Sequence, residues 1–169
     1  PPRLQSMLPP SNFGAVIPGQ IYRSSYPLEE NFGFLKKLKL KSILTLVKET
    51  CPEPYVSFMT ENGIQHFQVH IPANKGTVCM TTEQMTRALA VVLDRQNHPL
   101  LIHCNKGKHR TGCVTGCLRK VLGDNLKTVY EEYHTYADPK ARIFDEHFMG
   151  SFDERTVLWL AREQGFLPP

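Results

Sequence analysis

Pro99 to Cys113 reads PLLIHCNKGKHRTGC. The apolar run Leu100–Ile102, bounded by a proline and then by a polar loop, is the pattern of a strand buried on both faces. It stops at His103 and Cys104. Asn105 to Arg110 are polar and mostly basic around Gly107, and Thr111 to Leu122 are mostly small or apolar, the pattern of a buried helix. Between such elements the backbone amides converge at the helix N-terminus, with Gly107 permitting a tight curve, and that geometry binds anions. A cysteine sulfur in this position feels the helix dipole and nearby cations, which bring thiol pKa values into the ~3.5–7.5 range. Cys104 is therefore expected to be a thiolate nucleophile. Arg110 can grip two oxygens of a phosphoryl group with its planar fork of donors. Thr111 supplies a hydroxyl to stabilise the sulfur and to act as donor in a second step. Asn105, Lys106, Gly107, Lys108 and His109 form the cradle, and His103 reads as a structural hydrogen-bonding residue that holds the loop.

Outward from this segment, strands and helices alternate. FGAVIPGQIYRSSYP (Phe13–Pro27) is broken by glycine and proline into two short β-prone pieces. Glu29–Leu40 has helical spacing at Phe32, Leu35 and Leu38, and KSILTLV (Lys41–Val47) is a buried-strand pattern. Tyr55–Asn62 reads as a short helix closed by Gly63. IQHFQVHI (Ile64–Ile71) alternates, placing Phe67, Val69 and Ile71 on one apolar face before Pro72 stops it. Thr81 and Gln84 have the spacing of a capping box before a helix with Met85, Ala88, Leu89, Val92 and Leu93 on one face. Three more helices are expected, over Leu126–Tyr136, Arg142–Met149 and Asp153–Gln164. The expectation is one α/β domain over residues 13–169, with a mostly parallel sheet of about four or five strands flanked by helices. Residues 1–12, opening PPRLQSMLPP, read as a flexible stub.

The 169 residues suffice for a real core, and 41% hydrophobic with 21% charged residues is ordinary for a globular domain. The net charge of +4 favours anionic partners. Nucleic acid is not expected, because the bases are concentrated and no aromatic residues interleave with them. No run approaches the ~18 apolar residues of a membrane span. Five cysteines, an odd number, fit a reducing compartment, so a cytoplasmic monomer or weak oligomer is expected. Neither a cofactor nor a metal is expected. A nucleotide-binding Walker loop fails, since Gly107-Lys108 is followed by histidine. Cys113 and Cys117 share a helix face at i, i+4, where a zinc site is conceivable, but they read as buried helix residues. Cys51 and Cys79 read as plain core or loop residues. Lys36, Lys37, Lys39 and Lys41 read as a solvated face. Lys48 and Lys75 each follow a core strand, so both emerge at the carboxyl edge of the sheet, where open α/β sheets bind ligands.

The arrangement His103-Cys104, five residues, Arg110-Thr111-Gly112 resembles the signature of the cysteine-dependent protein-tyrosine phosphatase superfamily. NKGKHRTGC (105–113) with GCLRK (116–120), PANKG (72–76) and YADPKAR (136–142) looks like the plant and fungal atypical dual-specificity phosphatases, from Gly19 to the C-terminus. At Gly76-Thr77-Val78 the sequence departs from the Glu-Pro-Phe-like stretch expected of that family. The resemblance implies hydrolysis of the β-phosphate of inositol pyrophosphates, especially a 5-diphospho group, through a cysteinyl-phosphate. It also implies that Lys140 and Arg142 join the substrate-binding bases, although a helix-cap role fits them equally. Ordinary superfamily members carry a proton-donating aspartate on a loop before the nucleophile. Here that place is Ala73-Asn74-Lys75, and no Asp or Glu occurs between Glu61 and Glu83. Asn74 can hold an anion but cannot usefully donate a proton, which favours a bond whose leaving group departs unaided. A protein tyrosine or dual-specificity phosphatase, a phosphoinositide phosphatase and a silent phosphate reader are the competing expectations.

Overall fold

Two short strands, β1 (Gly14–Ile17) and β2 (Ile21–Ser24), pair antiparallel across a turn in which Gly19 takes φ +75°. In the computed structural model, which describes residues 7–169, the remaining strands run parallel to β2. β3 (Ser42–Thr45) and β5 (Leu100–His103) are buried at every position, while β4 (Gln65–Gln68) forms the half-covered edge. The sheet order β1-β2-β5-β3-β4 puts β5 at the centre. This is the expected α/β domain, with five strands.

Alternation along the central strands feeds two cores. Leu44, Leu100 and Ile102 face one layer of helices, and Ile43 and Leu101 face the other. The smaller layer holds α1 (Phe32–Lys37) and α2 (Glu53–Glu61). The larger holds α3 (Thr82–Val92), α4 (Arg110–Val121), α5 (Leu126–Ala137), α6 (Ile143–Ser151) and α7 (Arg155–Glu163). Continuous apolar runs form strands here because helices cover both faces of the parallel sheet. The capping box is present, with Thr81 Oγ1 accepting from Gln84 N and Gln84 Oε1 accepting from Thr81 N.

Several boundaries differ from expectation for local reasons. The helix expected over 29–40 is a 3-10 turn (Glu29–Asn31) followed by α1, and Lys39 at φ +55° ends it before Leu40 enters the core. α7 begins at Arg155 because the Asp153 carboxylate accepts from the Arg155 N–H at 3.1 Å, just ahead of the helix. Residues 1–6 of the expected stub lie outside the described residues. Residues 7–12 are not a free tail: Ser25 N donates to Ser11 O, Asn31 Nδ2 donates to Leu8 O, and Pro10 is buried.

Register decides where chemistry gathers. Ser24 pairs with His103, His103 with Thr45, and Thr45 with Gln68, so the parallel strands end level. The segments that follow them, carrying Ser25, Cys104, Lys48-Glu49 and Ala73–Lys75, therefore leave from one edge of the sheet.

Candidate active site

β5 delivers Cys104 to that edge, and α4 starts at Arg110, leaving Asn105–His109 to make the turn. Four successive carbonyls of this turn are bound from outside. His103 Nδ1 donates to Cys104 O at 3.0 Å, Tyr26 N to Asn105 O at 3.0 Å, Asn12 Nδ2 to Lys106 O at 2.8 Å, and Arg23 Nη2 to Gly107 O at 3.0 Å. Carbonyls fixed on the outside leave the concave side to N–H dipoles, the arrangement that holds anions. The Gly107 N–H already points to Cys104 Sγ at 3.3 Å. Gly107 has φ +70°, and a Cβ there would lie 2.5 Å from Ser25 N, so both backbone conformation and space demand glycine.

His103 is a neutral strut. Its Nδ1–H is committed to the Cys104 carbonyl, and its acceptor nitrogen Nε2 lies 2.9 Å from both the Thr45 hydroxyl and the Tyr55 phenol. Burial lowers its pKa to about 4, partly opposed by the bond to Cys104 O. The same burial drives the Tyr55 phenol well above its ordinary range. Neither group exchanges protons near neutrality.

In front of the sulfur is a cavity of about 420 Å³. It is lined by Cys104, Asn105, Lys106, His109 and Arg110 from the turn and the start of α4, and by Glu49, Ala73, Lys75 and Arg142 from other segments. Sequence reasoning thus finds seven residues that the fold brings together. A concavity of about 530 Å³ beside α5, lined by Lys127, Tyr130 and His134 among others, contains no nucleophile.

The other expected residues sit elsewhere. Lys48 and Lys140 are exposed and Lys108 is half-buried, and none of them lines the cavity. Lys140 contributes its backbone instead, as His109 Nε2 donates to Lys140 O at 2.6 Å. That bond makes His109 a tie between the turn and the 138–142 segment, and burial lowers its pKa. Asn74 is not available to an anion. It is fully buried, its Oδ1 accepts from Cys79 N at 2.7 Å and Met80 N at 3.0 Å, and its Nδ2 donates to Asp145. The Thr111 hydroxyl is buried beside the nucleophile's loop, without a hydrogen-bond partner among the described residues. Cys113 and Cys117 lie in the core, where burial raises both thiols, while Cys51 is half-buried and Cys79 exposed on a loop.

Arg23 escapes a reading of motifs, while Glu49 and Asp145 enter the sequence reading only as distant carboxylates that could fold in to replace the missing acid. The signal for Arg23 is a charge inside a short β-prone run, IYRS. Asp145 lies in α6 as a buried acid, accepting from Tyr133 OH at 2.6 Å, and has no sequence signature beyond its helical position. Glu49 follows β3 at the ligand edge, and its peptide is held by Gln68 Nε2, which donates to Val47 O and Glu49 O.

A nucleophile, an arginine and a carbonyl-backed turn at the end of a parallel strand are also what comparison finds. The family model described as the tyrosine phosphatase family matches residues 7–163. The chain belongs to that family. Inositol diphosphatase SIW14 of Saccharomyces cerevisiae is 43% identical over 166 residues, covering 97% of this chain and 59% of the yeast protein. The chain therefore spans less than two thirds of that relative's length. Inositol diphosphatase DSP2 of Oryza sativa is 45% identical, covering 94% of this chain and 78% of the rice protein. The crystal structure of the core catalytic domain of PP-IP phosphatase SIW14 from S. cerevisiae, in complex with citrate, matches with a TM-score of 0.90 at 43% identity. It covers 95% of this chain and 97% of that one. The resemblance to plant and fungal members is thus borne out. Pseudomonas aeruginosa TpbA, at 17% identity and a TM-score of 0.70 over 83% of this chain and 85% of that one, shares the fold.

Proposed function

We propose that this phosphatase hydrolyses the β-phosphate of an inositol pyrophosphate, a 5-diphosphoinositol polyphosphate. Asn74 carries the reading: the place of the proton-donating aspartate holds a buried amide that is fully engaged within the protein. A phosphate leaving group, with a second pKa of ~6, departs as an anion without a donated proton. The tyrosine phenol, with a pKa of about 10, does not. The names of the yeast and rice relatives support the same substrate class.

In the first step Cys104 Sγ attacks the β-phosphorus, an S–P bond forms, and the bridging P–O bond breaks with its electrons on the departing α-phosphate. Arg110 and the turn's N–H groups hold the equatorial oxygens, where charge is stabilised most effectively. In the second step water attacks the cysteinyl-phosphate, releasing phosphate and restoring the thiolate. Thr111, in the first turn of α4, supplies the hydroxyl that stabilises that thiolate. Lys75, Lys106 and Arg142 take the remaining phosphates of the ring. The cycle as written uses neither a metal nor a cofactor. Five free cysteines fit a cytoplasmic protein, and among the described residues no helix is long and apolar enough to cross a membrane.

One observation favours a second reading. Glu49 is a carboxylate on the cavity wall, and a protein tyrosine phosphatase would use it as the proton donor that Asn74 is not. The deciding experiment is competition between 5-diphosphoinositol pentakisphosphate and a phosphotyrosine peptide at low and physiological ionic strength. The inositol pyrophosphate should show the higher kcat/KM in both and the steeper loss with salt. A peptide that wins in both overturns the proposal in favour of the second reading.

A further inference from the structure

Arg23 is fully buried in β2, directly behind the turn that carries the nucleophile. A buried charge is costly unless it is paired. Yet its hydrogen bonds go to neutral groups: Nη1 donates to Thr115 Oγ1 at 2.9 Å and Nη2 to Gly107 O at 3.0 Å. Its guanidinium carbon stands 3.7 Å from the centroid of the Tyr136 ring, and Nε has no hydrogen-bond partner among the described residues. The charged or titratable groups around it are Tyr136 and Glu132 from α5, Arg119 from α4, and Cys104 at the end of β5. Glu132 is already taken by Arg119 at 3.0 Å. That leaves Cys104, whose Sγ meets the N–H of the same Gly107 whose carbonyl Arg23 holds.

We propose that Arg23 is a positioning residue for the phosphate-binding turn and the internal counter-charge of Cys104. By holding the Gly107 carbonyl on the outside of the turn, it keeps the neighbouring Gly107 N–H on the sulfur. Through Thr115, whose hydroxyl donates to Gly112 O at 3.1 Å, it also fixes the first turns of α4 to β2. Ser24 and Ser25, the next residues along, form the floor on which Gly107 sits. Three consecutive residues thus set the loop's shape from below, and the charge of one of them lies behind the anion. Burial disfavours the Arg23 charge, while Tyr136, Glu132 and Cys104 favour it. The inference rests on Cys104 being the nucleophile.

Two substitutions separate charge from geometry. Arg23→Gln keeps hydrogen-bond donors without the charge, and Arg23→Lys keeps the charge without the two-point hold. The readouts are alkylation of Cys104 by iodoacetamide at neutral pH, corrected with the Cys104→Ser protein, and kcat and KM on an aryl phosphate. Arg23→Gln should slow alkylation about tenfold or more, as loss of a charge-assisted contact does. Arg23→Lys should alkylate within about threefold of wild type but lose about 10²-fold in kcat at little-changed KM, the pattern of a displaced oxyanion cradle. A folded Arg23→Gln protein that alkylates and turns over at the wild-type rate overturns the proposal. If the glutamine variant does not fold, Arg23→Lys decides: wild-type kcat refutes the positioning role, and lost kcat with retained alkylation supports it. Alkylation needs no substrate, so a wrong substrate assignment leaves this test standing.

Discussion

Asn74 Nδ2 donates to Asp145 Oδ1 at 3.1 Å, and both side chains are fully buried. This bond ties the segment after β4 to α6. The other Asp145 oxygen accepts from Tyr133 OH, which in turn accepts from Arg142 N at 2.9 Å. One carboxylate thereby anchors the two stretches that bring Lys75 and Arg142 to the cavity. That part of the cavity wall is a braced structure, and its bracing uses the very position at which other superfamily members keep their acid.

Restoring that acid should therefore fail. Asn74→Asp sets a second carboxylate against Asp145 in a buried site and removes the donor that joined them. Removing a hydrogen-bond donor from a buried polar group costs about 1–3 kcal/mol. Urea denaturation should show a loss of that order, with no gain in phosphotyrosine hydrolysis. A variant as stable as wild type and faster on phosphotyrosine would contradict the bracing role.

The two residues read first in the sequence make the sharpest kinetic test. Cys104→Ser should abolish turnover and leave the thermal transition near that of wild type, and acid quench of the wild-type protein should trap phosphate on Cys104. Arg110→Lys keeps the charge but loses the bidentate grip, so kcat/KM should fall about 10²–10³-fold. Near-wild-type turnover in the serine protein would rule out the covalent route.

How much of this was legible depends on where the signal resides. The turn Cys104–Arg110 was, because strand, loop chemistry and helix are contiguous in the chain. Lys75 was too, because a residue just past a core strand must emerge at the ligand edge. Lys48 obeys the same rule yet is exposed and does not line the cavity, since a strand end fixes position but not which surface the side chain reaches. At Asn74 the sequence shows a place without an acid but not that its side chain is buried away from ligand, because its partners Cys79, Met80 and Asp145 are set by tertiary packing. Arg23 lies 84 residues from the Gly107 carbonyl that it holds, and no local pattern reports such a pairing.

The lysines should sort by that geometry. Lys75→Ala and Lys106→Ala, on the cavity wall, should raise KM for an inositol pyrophosphate more than for an aryl phosphate. Lys48→Ala and Lys140→Ala should change neither by more than about twofold, as exposed charges are screened within ~8–10 Å. Initial rates at two salt concentrations measure this. Equal effects of all four on both substrates would mean that the cavity does not select the polyanion.

Acid should weaken the fold through His103. Its pKa is lowered to about 4 in the folded protein from the ordinary 6.5, so between these values the unfolded chain binds a proton that the native state excludes. Stability therefore falls as pH drops through that window, by up to about 1.4 kcal/mol per pH unit from this residue. His103→Gln should flatten that slope in urea titrations at pH 5 and 6.5. An unchanged slope would place the pH dependence in other groups.

Glu49 offers the last discrimination, because a carboxylate facing a polyanion must either assist the reaction or oppose binding. A phosphoanhydride needs no proton at the bridging oxygen, so on the inositol pyrophosphate the carboxylate acts mainly as a repelling charge. Glu49→Gln should then lower KM for that substrate and leave kcat within about threefold, since only an unneeded proton donor is lost. On a phosphotyrosine peptide the leaving phenol does need a proton. If Glu49 supplies it, the same substitution should reduce kcat by ~10²-fold or more there. Parallel kinetics on the two substrates read both effects from one variant. Collapse of kcat on the inositol pyrophosphate itself would show that the anhydride bond requires an acid after all, removing the argument that links the buried Asn74 to the choice of substrate.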